Sequence, residues 1–360
     1  MTASATEVDI GRLRTWMQVE VPGLAVQDST PIRAARVGGG FSNLTFEITL
    51  GEGDTARHLI LRRPPVGVRA DRGAHDMRRG VPGANGGRRP AGTGADADCT
   101  VRGRGRAGRA VLPDVQGAGV AVRTLDDAPA LRDPTVMRRM SESCIDALAA
   151  LHALPVTGLP MYDAAKVDGY GARQVHNWAA RWMAVRPPDV PDADAATVFA
   201  WLAEYLPAPL PPALLHNDWK FDNLLVDRDD PSVICGVLDW EMATIGDPRF
   251  DLATSLGYWV QSDDAPMLQA LALGVTNAPG CLTREQVVAR YVAARGVPVD
   301  DPVYWWVFGL AKVAVIVLQL YARYVAGTTQ DARFAFLGGM AGLLMSTARS
   351  AIDRNSLAAH

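Results

Sequence analysis

The residues best suited to chemistry lie in one stretch, Leu214 to Val226, which reads LLHNDWKFDNLLV. Two apolar runs flank a polar centre, and this pattern predicts a short strand, a tight loop and a second short strand. The loop presents Asp218, Lys220 and Asn223, which are a carboxylate, a cation and a neutral amide. Phosphoryl transfer from a nucleotide uses groups of these three kinds.

Each group fits one role in that chemistry. Asp218 fits the acceptor of the hydroxyl proton, Asn223 a ligand of Mg²⁺, and Lys220 the cation that meets the transferred phosphate. The spacing His-x-Asp-x-Lys-x-x-Asn, which starts at His216, matches the protein-kinase catalytic loop except for the Arg that follows the His there. A lone His-x-Asp or Asp-Asn pair is usually a turn. The ordered set between two apolar runs therefore predicts a catalytic loop.

A second carboxylate follows the next apolar run. Residues 233–238 are largely apolar and β-branched, and they predict a strand that ends at Asp239. Because one Asn cannot hold a metal ion alone, Asp239 is the predicted second Mg²⁺ ligand. Further on, Asp251 is expected to accept hydrogen bonds from the backbone of the catalytic loop. Glu241 has two equal interpretations, a contact near the metal or a plain surface residue.

The segment from His216 to Ala253 resembles the catalytic core of the aminoglycoside phosphotransferase (APH) family, especially the branch similar to the kinase-like domain linked to some acyl-CoA dehydrogenases. The phrases HNDWKFDN, VLDWEMATIGDP and DLA carry the resemblance. It implies an α+β, bilobal protein-kinase-like fold, with a small mixed α/β lobe and a large mainly helical lobe. It also implies that ATP and Mg²⁺ are used to phosphorylate a small-molecule hydroxyl. The resemblance also implies that His216, one of the catalytic residues, and Asp251, a structural support, hold the loop in shape.

Upstream, a glycine turn lies between two predicted strands, residues 34–37 and 44–50. Such a turn lets backbone N–H groups approach phosphate closely, so it is a predicted nucleotide-binding site. The residues concerned are Gly38, Gly39, Gly40 and Ser42. A glycine-rich hairpin alone is more often a plain turn, and the catalytic loop downstream supports the nucleotide interpretation.

A third strand is predicted from residue 58 onward. The kinase pattern places a Lys there that reaches the α and β phosphates. Arg62 stands at that position, and the resembling branch also tends to read Leu-Arg-Arg-Pro-Pro, as this chain does at residues 61–65. Arg keeps the charge and adds a fork of donors, so Arg62 is a predicted nucleotide contact and Arg63 a solvated neighbour.

The following segment departs from this pattern. Between Arg62 and Val111 there is no Leu, Ile, Phe, Tyr or Trp, and 12 of the 34 glycines fall within residues 73–119. Such a stretch cannot bury enough apolar surface to offset its ordering entropy. The kinase-like fold nevertheless requires its αC helix, two strands and the hinge there.

Two interpretations of this segment stand. One is a disordered basic insertion, for example an Arg-Gly segment that contacts nucleic acid. The other is a frameshift over about residues 77–123. When each codon is read from its second base, residues 80–86 permit Glu-Tyr-Arg-Val-Leu-Thr-Ala, and residues 109–120 permit a stretch similar to the family's Gly-Ala-Pro-Phe-Tyr-x-Met hinge. Since one shift restores both stretches, the frameshift is favoured.

Composition limits the class of protein. A chain of 360 residues with 48% hydrophobic content is long enough for two lobes, predicted as a nucleotide-binding lobe at 1–128 and a catalytic and substrate lobe at 129–360. The net charge of −3 gives no indication of nucleic acid or an anionic membrane as partner. Oligomeric state is not predicted.

Cysteine usage and the N-terminal residues bear on location. The four cysteines, Cys99, Cys144, Cys235 and Cys281, form no CxxC pair, which indicates reduced thiols in a cytosol. Cys235 lies in an apolar run and is expected to be buried. Residues 1–9 show no secretory signal, so a cytoplasmic location is expected.

Downstream of residue 129 the chain is predicted to be mainly helical. Asp133-Pro134 marks the start of the first long helix, on which His152 is expected to be structural. Later helices are predicted at 170–185, 195–206, 253–261, 265–273, 284–294, 302–325 and 332–349. Residues 303–325 are apolar, but Lys312, Gln319 and Arg323 interrupt them, which favours a buried helix over a membrane span.

Alternatives remain for the function. A damaged small lobe would leave a catalytically impaired kinase-like protein, inactive or acting as a binding module. A protein kinase is less favoured, because the short connection from Asp239 to Asp251 leaves no room for an activation loop. An aminoglycoside acceptor is less favoured, because the acids after Asp251 are scattered, whereas a hydroxylated lipid-like or acyl-CoA-like acceptor is open.

Overall fold

The computed structural model describes residues 8–20, 25–36, 44–53, 56–63, 110–112, 119–159, 161–270, 274–327 and 334–359. The chain divides into two compact units, residues 1–118 and 119–360. Most of the predicted aberrant segment, residues 77–109 and 113–118, lies outside the described residues, so both interpretations of it remain predictions.

The described residues of the first unit form a helix and an antiparallel sheet. Its elements are α1 (Ile10–Glu20), β1 (Ile32–Arg36), β2 (Leu44–Leu50), β3 (Arg57–Arg63) and β4 (Ala110–Leu112), and the strands lie in the order β1-β2-β3-β4. Because side chains alternate across a strand, Phe46, Ile48 and Leu50 share one face of β2. They form a core with Leu13 and Met17 of α1.

The second unit is mainly helical. Its helices are α2 (Pro134–His152), α3 (Ala164–Val167), α4 (Tyr170–Val185), α5 (Ala193–Glu204), α6 (Arg249–Tyr258), α7 (Pro266–Ala270), α8 (Arg284–Arg295), α9 (Pro302–Val325) and α10 (Leu337–Arg354). The predicted start of α2 is confirmed, because the Asp133 side chain accepts a hydrogen bond of 2.7 Å from Thr135 N. The predicted helix 332–349 starts and ends too early. The observed helix, α10, runs from Leu337 to Arg354 and ends at a left-handed cap, Asn355.

Five short strands complete this unit. They are β5 (Val120–Ala121), β6 (Ala213–Leu215), β7 (Leu224–Val226), β8 (Ile234–Val237) and β9 (Thr244–Gly246). One sheet has the order β5-β7-β8, and β6 pairs with β9. Since β5 pairs with β7, the boundary between the units falls shortly before the predicted one at residue 128.

The strand pairing places two loops side by side. Loop 216–223 connects β6 to β7, and loop 238–243 connects β8 to β9. Leu215 pairs with Thr244 and Leu224 with Val237, so both loops span the same two sheet ends. A backbone hydrogen bond of 2.7 Å from Leu238 N to Asn223 O joins them.

Helix α9 forms the centre of the helical layer. Within the described part of the chain it is the one helix long and apolar enough to cross a membrane, and 83% of its apolar window is buried inside the protein. It crosses α6 at two glycines. A Cβ on Gly257 would lie 2.5 Å from the Gly309 backbone, and a Cβ on Gly309 would lie 1.9 Å from Ala253 O. The close crossing therefore depends on the absence of side chains there.

The cysteines correct one expectation. Cys235 is exposed, whereas the sequence pattern predicted a buried residue. The reason is a β-bulge: Leu225 pairs with Gly236 and Val226 with Ile234, so Cys235 is the extra residue on β8. Cys144 is buried and Cys281 is partly buried, while Cys99 lies outside the described residues.

Candidate active site

His216 opens the catalytic loop and is fully buried. Its Nε2 lies 2.7 Å from Leu238 O, and its Nδ1 accepts a hydrogen bond of 3.3 Å from Asp218 N. The ring meets Trp219 and Trp240 edge-on. Because backbone groups use both ring nitrogens, His216 ties the loop to the end of β8, a geometry that suits a brace.

Asn217 adopts a left-handed backbone conformation, with φ of 65°. Asn is among the few residues other than glycine that tolerate this region. Its Nδ2 donates to Met242 O at 3.0 Å, which adds a second tie to the neighbouring loop. The turn at Asn217 directs the next residue, Asp218, away from the buried base of the loop.

The Asp218 carboxylate lies between an amide and an ammonium group. Its Oδ2 accepts a hydrogen bond of 2.8 Å from Asn223 Nδ2 and lies 3.3 Å from Lys220 Nζ. The Asp218 and Lys220 side chains are 22% and 21% exposed, so a substrate can reach both. The predicted carboxylate, cation and amide are thus brought together in one cluster.

Tyr258, at the end of α6, joins this cluster and was missed by the sequence analysis. Lys220 Nζ lies 4.8 Å from the centre of its ring. Burial and then the negative charge of Asp218 raise the pKa of the Tyr258 phenol. Burial alone would lower the pKa of Lys220, but Asp218, Tyr258 and Asp222 together outweigh burial, and the pKa is raised. Both groups therefore stay protonated at neutral pH.

Asn223 and Asp239 are the predicted metal ligands. Both hydrogen bonds of the Asn223 side chain to Asp218 use the amide nitrogen, which leaves the amide oxygen as the atom that can bind a cation. Asp239 lies two residues after the end of β8, next to Leu238, whose backbone N–H donates to Asn223 O. One amide oxygen and one carboxylate fit Mg²⁺, which takes its other ligands from phosphates and water.

Other described residues offer no dedicated metal cage. No group of three or more His, Cys, Asp or Glu side chains that could hold a metal ion occurs within the described part of the chain. Glu241 lies in a short 3₁₀ turn, Trp240–Met242, directly after Asp239 and is partly buried.

Asp251 supports the loop from below and is fully buried. Its Oδ2 accepts a hydrogen bond of 2.6 Å from His216 N, and its Oδ1 accepts one from Asn217 N. Its Oδ2 also lies 3.2 Å from His152 Nε2, and Tyr291 Oη lies 2.7 Å from His152 Nδ1. Burial raises the pKa of Asp251, but the hydrogen bond to His152 and the other partners more than reverse this, and the pKa is lowered.

Trp219 anchors the middle of the loop. The side chain is buried, and Nε1 donates to Cys144 O on α2 at 3.2 Å. The Trp219 carbonyl accepts a hydrogen bond of 2.9 Å from Ser255 Oγ on α6. Helices α2 and α6 therefore fix the loop on which Asp218 and Lys220 stand.

The predicted phosphate-binding residues are described only in part. Gly38, Gly39, Gly40 and Ser42 lie outside the described residues. The backbone of Arg62 lies in β3 and pairs with Thr45 of β2, while its side chain lies outside the described part. The roles of these five residues remain predictions.

A profile of the phosphotransferase enzyme family, APH, matches residues 33–283. The chain belongs to the APH family. This membership confirms the resemblance drawn from the motifs.

Two curated relatives are similar in sequence to this chain. The chain is 32% identical over 196 residues to acyl-CoA dehydrogenase family member 11 of Gallus gallus, covering 51% of this chain and 24% of that protein. It is 24% identical over 354 residues to "Probable acyl-CoA dehydrogenase IBR3" of Arabidopsis thaliana, covering 90% of this chain and 40% of that protein. The chain thus spans less than half the length of these relatives.

Solved structures confirm the α+β kinase-like fold. A "putative aminoglycoside phosphotransferase" from Ralstonia eutropha has a TM-score of 0.65 and 18% identity, covering 97% of this chain and 99% of that chain. A choline kinase from Cryptosporidium parvum has a TM-score of 0.61 and 10% identity, covering 96% and 97%. At these identities the likeness shows the fold alone.

Proposed function

We propose that this APH-family protein transfers the γ-phosphoryl group of ATP, with Mg²⁺, to a hydroxyl group of a small molecule. The observation that carries the proposal is the cluster around Asp218. A partly exposed carboxylate is held by an amide and an ammonium group on a loop that is anchored from below. This cluster supports the proposal, because phosphoryl transfer uses a base, a cation and an oxygen ligand for the metal close together.

In the proposed reaction Asp218 accepts the proton of the acceptor hydroxyl. The hydrogen bond from Asn223 Nδ2 and the ion pair with Lys220 fix the direction of the carboxylate. A base held within reach of the hydroxyl keeps the attacking oxygen aligned with the phosphorus. Lys220 is proposed to contact the γ-phosphate and to meet the charge that develops on it.

Asn223 and Asp239 are proposed to hold Mg²⁺ through an amide oxygen and a carboxylate. When bound, Mg²⁺ supplies positive charge to the phosphate oxygens. Gly38, Gly39, Gly40, Ser42 and Arg62 are proposed to contact the nucleotide phosphates, on the strength of the sequence pattern. His216 and Asp251 are proposed to keep the loop in shape.

The acceptor is proposed to be a neutral or acyl-CoA-like hydroxyl compound in preference to an aminoglycoside. A polycationic acceptor favours a strongly acidic cleft, whereas the acids after Asp251 are scattered in the sequence, as at Asp263 and Asp300. The names of the curated relatives suggest acyl-CoA compounds as the first acceptors to assay.

A cytoplasmic location is proposed as well. The four cysteines form no CxxC pair in the sequence, which suits reduced thiols and a reducing compartment.

Nucleotide binding tests the proposal against its alternative, a catalytically impaired kinase-like protein. Melting temperature would be measured with ATP alone, with Mg²⁺ alone and with both. We expect stabilisation that requires both, because a ligand that binds the folded state raises its stability by mass action. An unchanged melting curve at saturating Mg·ATP would favour the impaired protein.

A further inference from the structure

Lys312 is a buried cation that the proposed mechanism does not use. It lies on α9 and is 3% exposed. Its Nζ donates hydrogen bonds to Asn217 O at 2.7 Å and to Thr254 Oγ1 at 2.8 Å. The Asn217 carbonyl belongs to the peptide bond that joins Asn217 to Asp218. Lys312 therefore contacts the backbone directly beside the proposed general base.

The close crossing of α6 and α9 makes this contact. Lys312 lies three residues after Gly309, and Thr254 lies three residues before Gly257, nearly one helical turn in each case. Because the two glycines let the helices touch, Lys312 reaches Thr254 and the loop beyond it. In the sequence, Lys312 is visible only as a polar residue that interrupts an apolar helix.

The environment of Lys312 opposes its charge. Burial lowers its pKa to about 8, while the charges of Asp251 and Asp218 act in the opposite direction. Arg181 of α4 and Lys220 of the loop also disfavour the charge, and the face of Trp178 lies 5.6 Å from Nζ. Lysine is seldom fully buried, and an apolar side chain would fill this space without loss of solvation. A lysine here points to a role beyond packing.

Asp251 and Lys312 hold opposite sides of the same turn. The Asp251 carboxylate accepts from the N–H of Asn217, and the Lys312 ammonium donates to its C=O. Asn217 is the residue with the left-handed backbone, a conformation that persists when its surroundings determine it. Fixing both peptide bonds of Asn217 fixes the direction in which Asp218 leaves the turn.

We propose that Lys312 is a positioning residue, which holds the peptide between Asn217 and Asp218 and so aims the Asp218 carboxylate at the acceptor hydroxyl. Its effect on the rate rests on the proposed function. Its effect on the order of the loop does not, and the two effects can be measured separately.

Hydrogen exchange measures the order of the loop without any substrate. The variants are Lys312→Met, which keeps the length of the side chain without its donors, and Lys312→Arg, which keeps a cation. Gln319→Met is the matched control, because Gln319 lies two turns further along nearly the same face of α9. In Lys312→Met we expect backbone exchange over residues 215–224 to rise at least about tenfold, since a hydrogen bond from a charged group is lost.

Helix α8, residues 284–295, is the internal reference, since global destabilisation would raise its exchange by the same factor. We expect α8 to change less than the loop in Lys312→Met, the loop to stay near the wild-type rate in Gln319→Met, and Lys312→Arg to lie closer to wild type than Lys312→Met. If the loop and α8 change equally, or the loop does not change, Lys312 is only a core residue and the proposal is overturned. Should Lys312→Met fail to fold, Lys312→Gln takes its place: a rise in loop exchange that exceeds the rise in α8 supports the contact with Asn217, and an equal rise or none overturns it.

The kinetic arm uses the same variants with Mg·ATP and an acceptor. Lys312→Met should lower kcat at least about tenfold and leave the KM for ATP within about threefold, because a misaimed base slows transfer more than binding. Lys312→Arg should recover part of kcat. An unchanged kcat in Lys312→Met overturns the proposal. An inactive wild-type protein contradicts the proposed function, and hydrogen exchange then decides the role of Lys312 alone.

Discussion

Asp218 and Asp251 are both carboxylates of the same site, but they differ in exposure and in their hydrogen-bond partners. Asp218 is partly exposed and its hydrogen-bonded and ion-pair partners are side chains. Asp251 is fully buried and bonds to two backbone N–H groups and to His152. We call Asp218, Lys220 and Asn223 the front group, and Asp251, His152 and Lys312 the supporting group.

The two carboxylates suit different tasks, proton uptake for Asp218 and support of the loop backbone for Asp251. A group that takes up a proton during turnover needs access to the substrate, and Asp218 is partly exposed. A group that fixes the backbone must keep one charge state, and the lowered pKa of Asp251 keeps its carboxylate ionised at neutral pH. Changes in the front group should therefore alter the rate at constant stability, whereas changes in the supporting group should alter both.

The largest expected effect follows Asp218→Asn. An amide of the same shape cannot accept the hydroxyl proton, so kcat should fall by about 10²- to 10⁴-fold. Melting temperature should stay close to wild type, because the side chain is partly exposed. Asp229→Asn, an exposed position on the neighbouring hairpin, is the control that should leave both quantities unchanged. Retained activity in Asp218→Asn would remove it from the role of base.

Asp251→Asn should lower stability as well as rate. The amide offers one acceptor oxygen where the carboxylate serves two backbone N–H groups, so a buried group is left without its partner. We expect a loss of about 2 to 4 kcal/mol in the free energy of unfolding, measured with urea. A variant as stable as wild type would show that the loop does not need this support.

Asn223→Ala should change the metal dependence. It removes an oxygen ligand and also the hydrogen bond to Asp218. The Mg²⁺ concentration for half-maximal activity should rise at least about tenfold, by analogy with the loss of groups that orient metal ligands. Titration of Mg²⁺ at fixed ATP measures it. A fall in rate with unchanged Mg²⁺ dependence would assign Asn223 to the orientation of Asp218 alone.

The smallest expected effect is the pH dependence of stability at Lys312. The pKa of Lys312 is lowered from 10.5 to about 8 by burial. Between these values the unfolded chain binds more protons than the folded chain, so this group adds stability as pH rises. Relative to Lys312→Met, wild type should gain up to about 1.4 kcal/mol per pH unit between about pH 8 and pH 10. Urea unfolding at several pH values measures the difference, and a constant difference would contradict a buried ammonium group.

The sequence could predict the front group because its signals are local. The carboxylate, cation and amide lie within eight residues between two apolar strands, and their order predicts the loop. The supporting group is assembled over long distances in the chain. His152 lies 99 residues before Asp251, and Lys312 lies 95 residues after Asn217. Asp251 is the one member of the supporting group that a sequence motif predicts, because it begins the DLA motif.

The sequence pattern was wrong for Cys235 and gave no role to Tyr258, because the position of each side chain depends on packing between elements. An apolar run predicted a buried Cys235, but the residue is exposed at a β-bulge in β8. Tyr258 appeared only as an apolar residue near the end of a helix, and the position of α6 places its ring beside Lys220. Such placements depend on how helices and strands pack, which periodicity within one element does not determine.

Phosphorus NMR of the reaction product tests the central claim most directly. The protein would be incubated with Mg·ATP and hydroxylated acceptors, with acyl-CoA compounds first, alongside Asp218→Asn. The account predicts a new phosphate-ester signal that forms in equal amount with ADP and is lost in Asp218→Asn. ADP with free phosphate but no ester across the acceptors, at the same rate in wild type and Asp218→Asn, would contradict it.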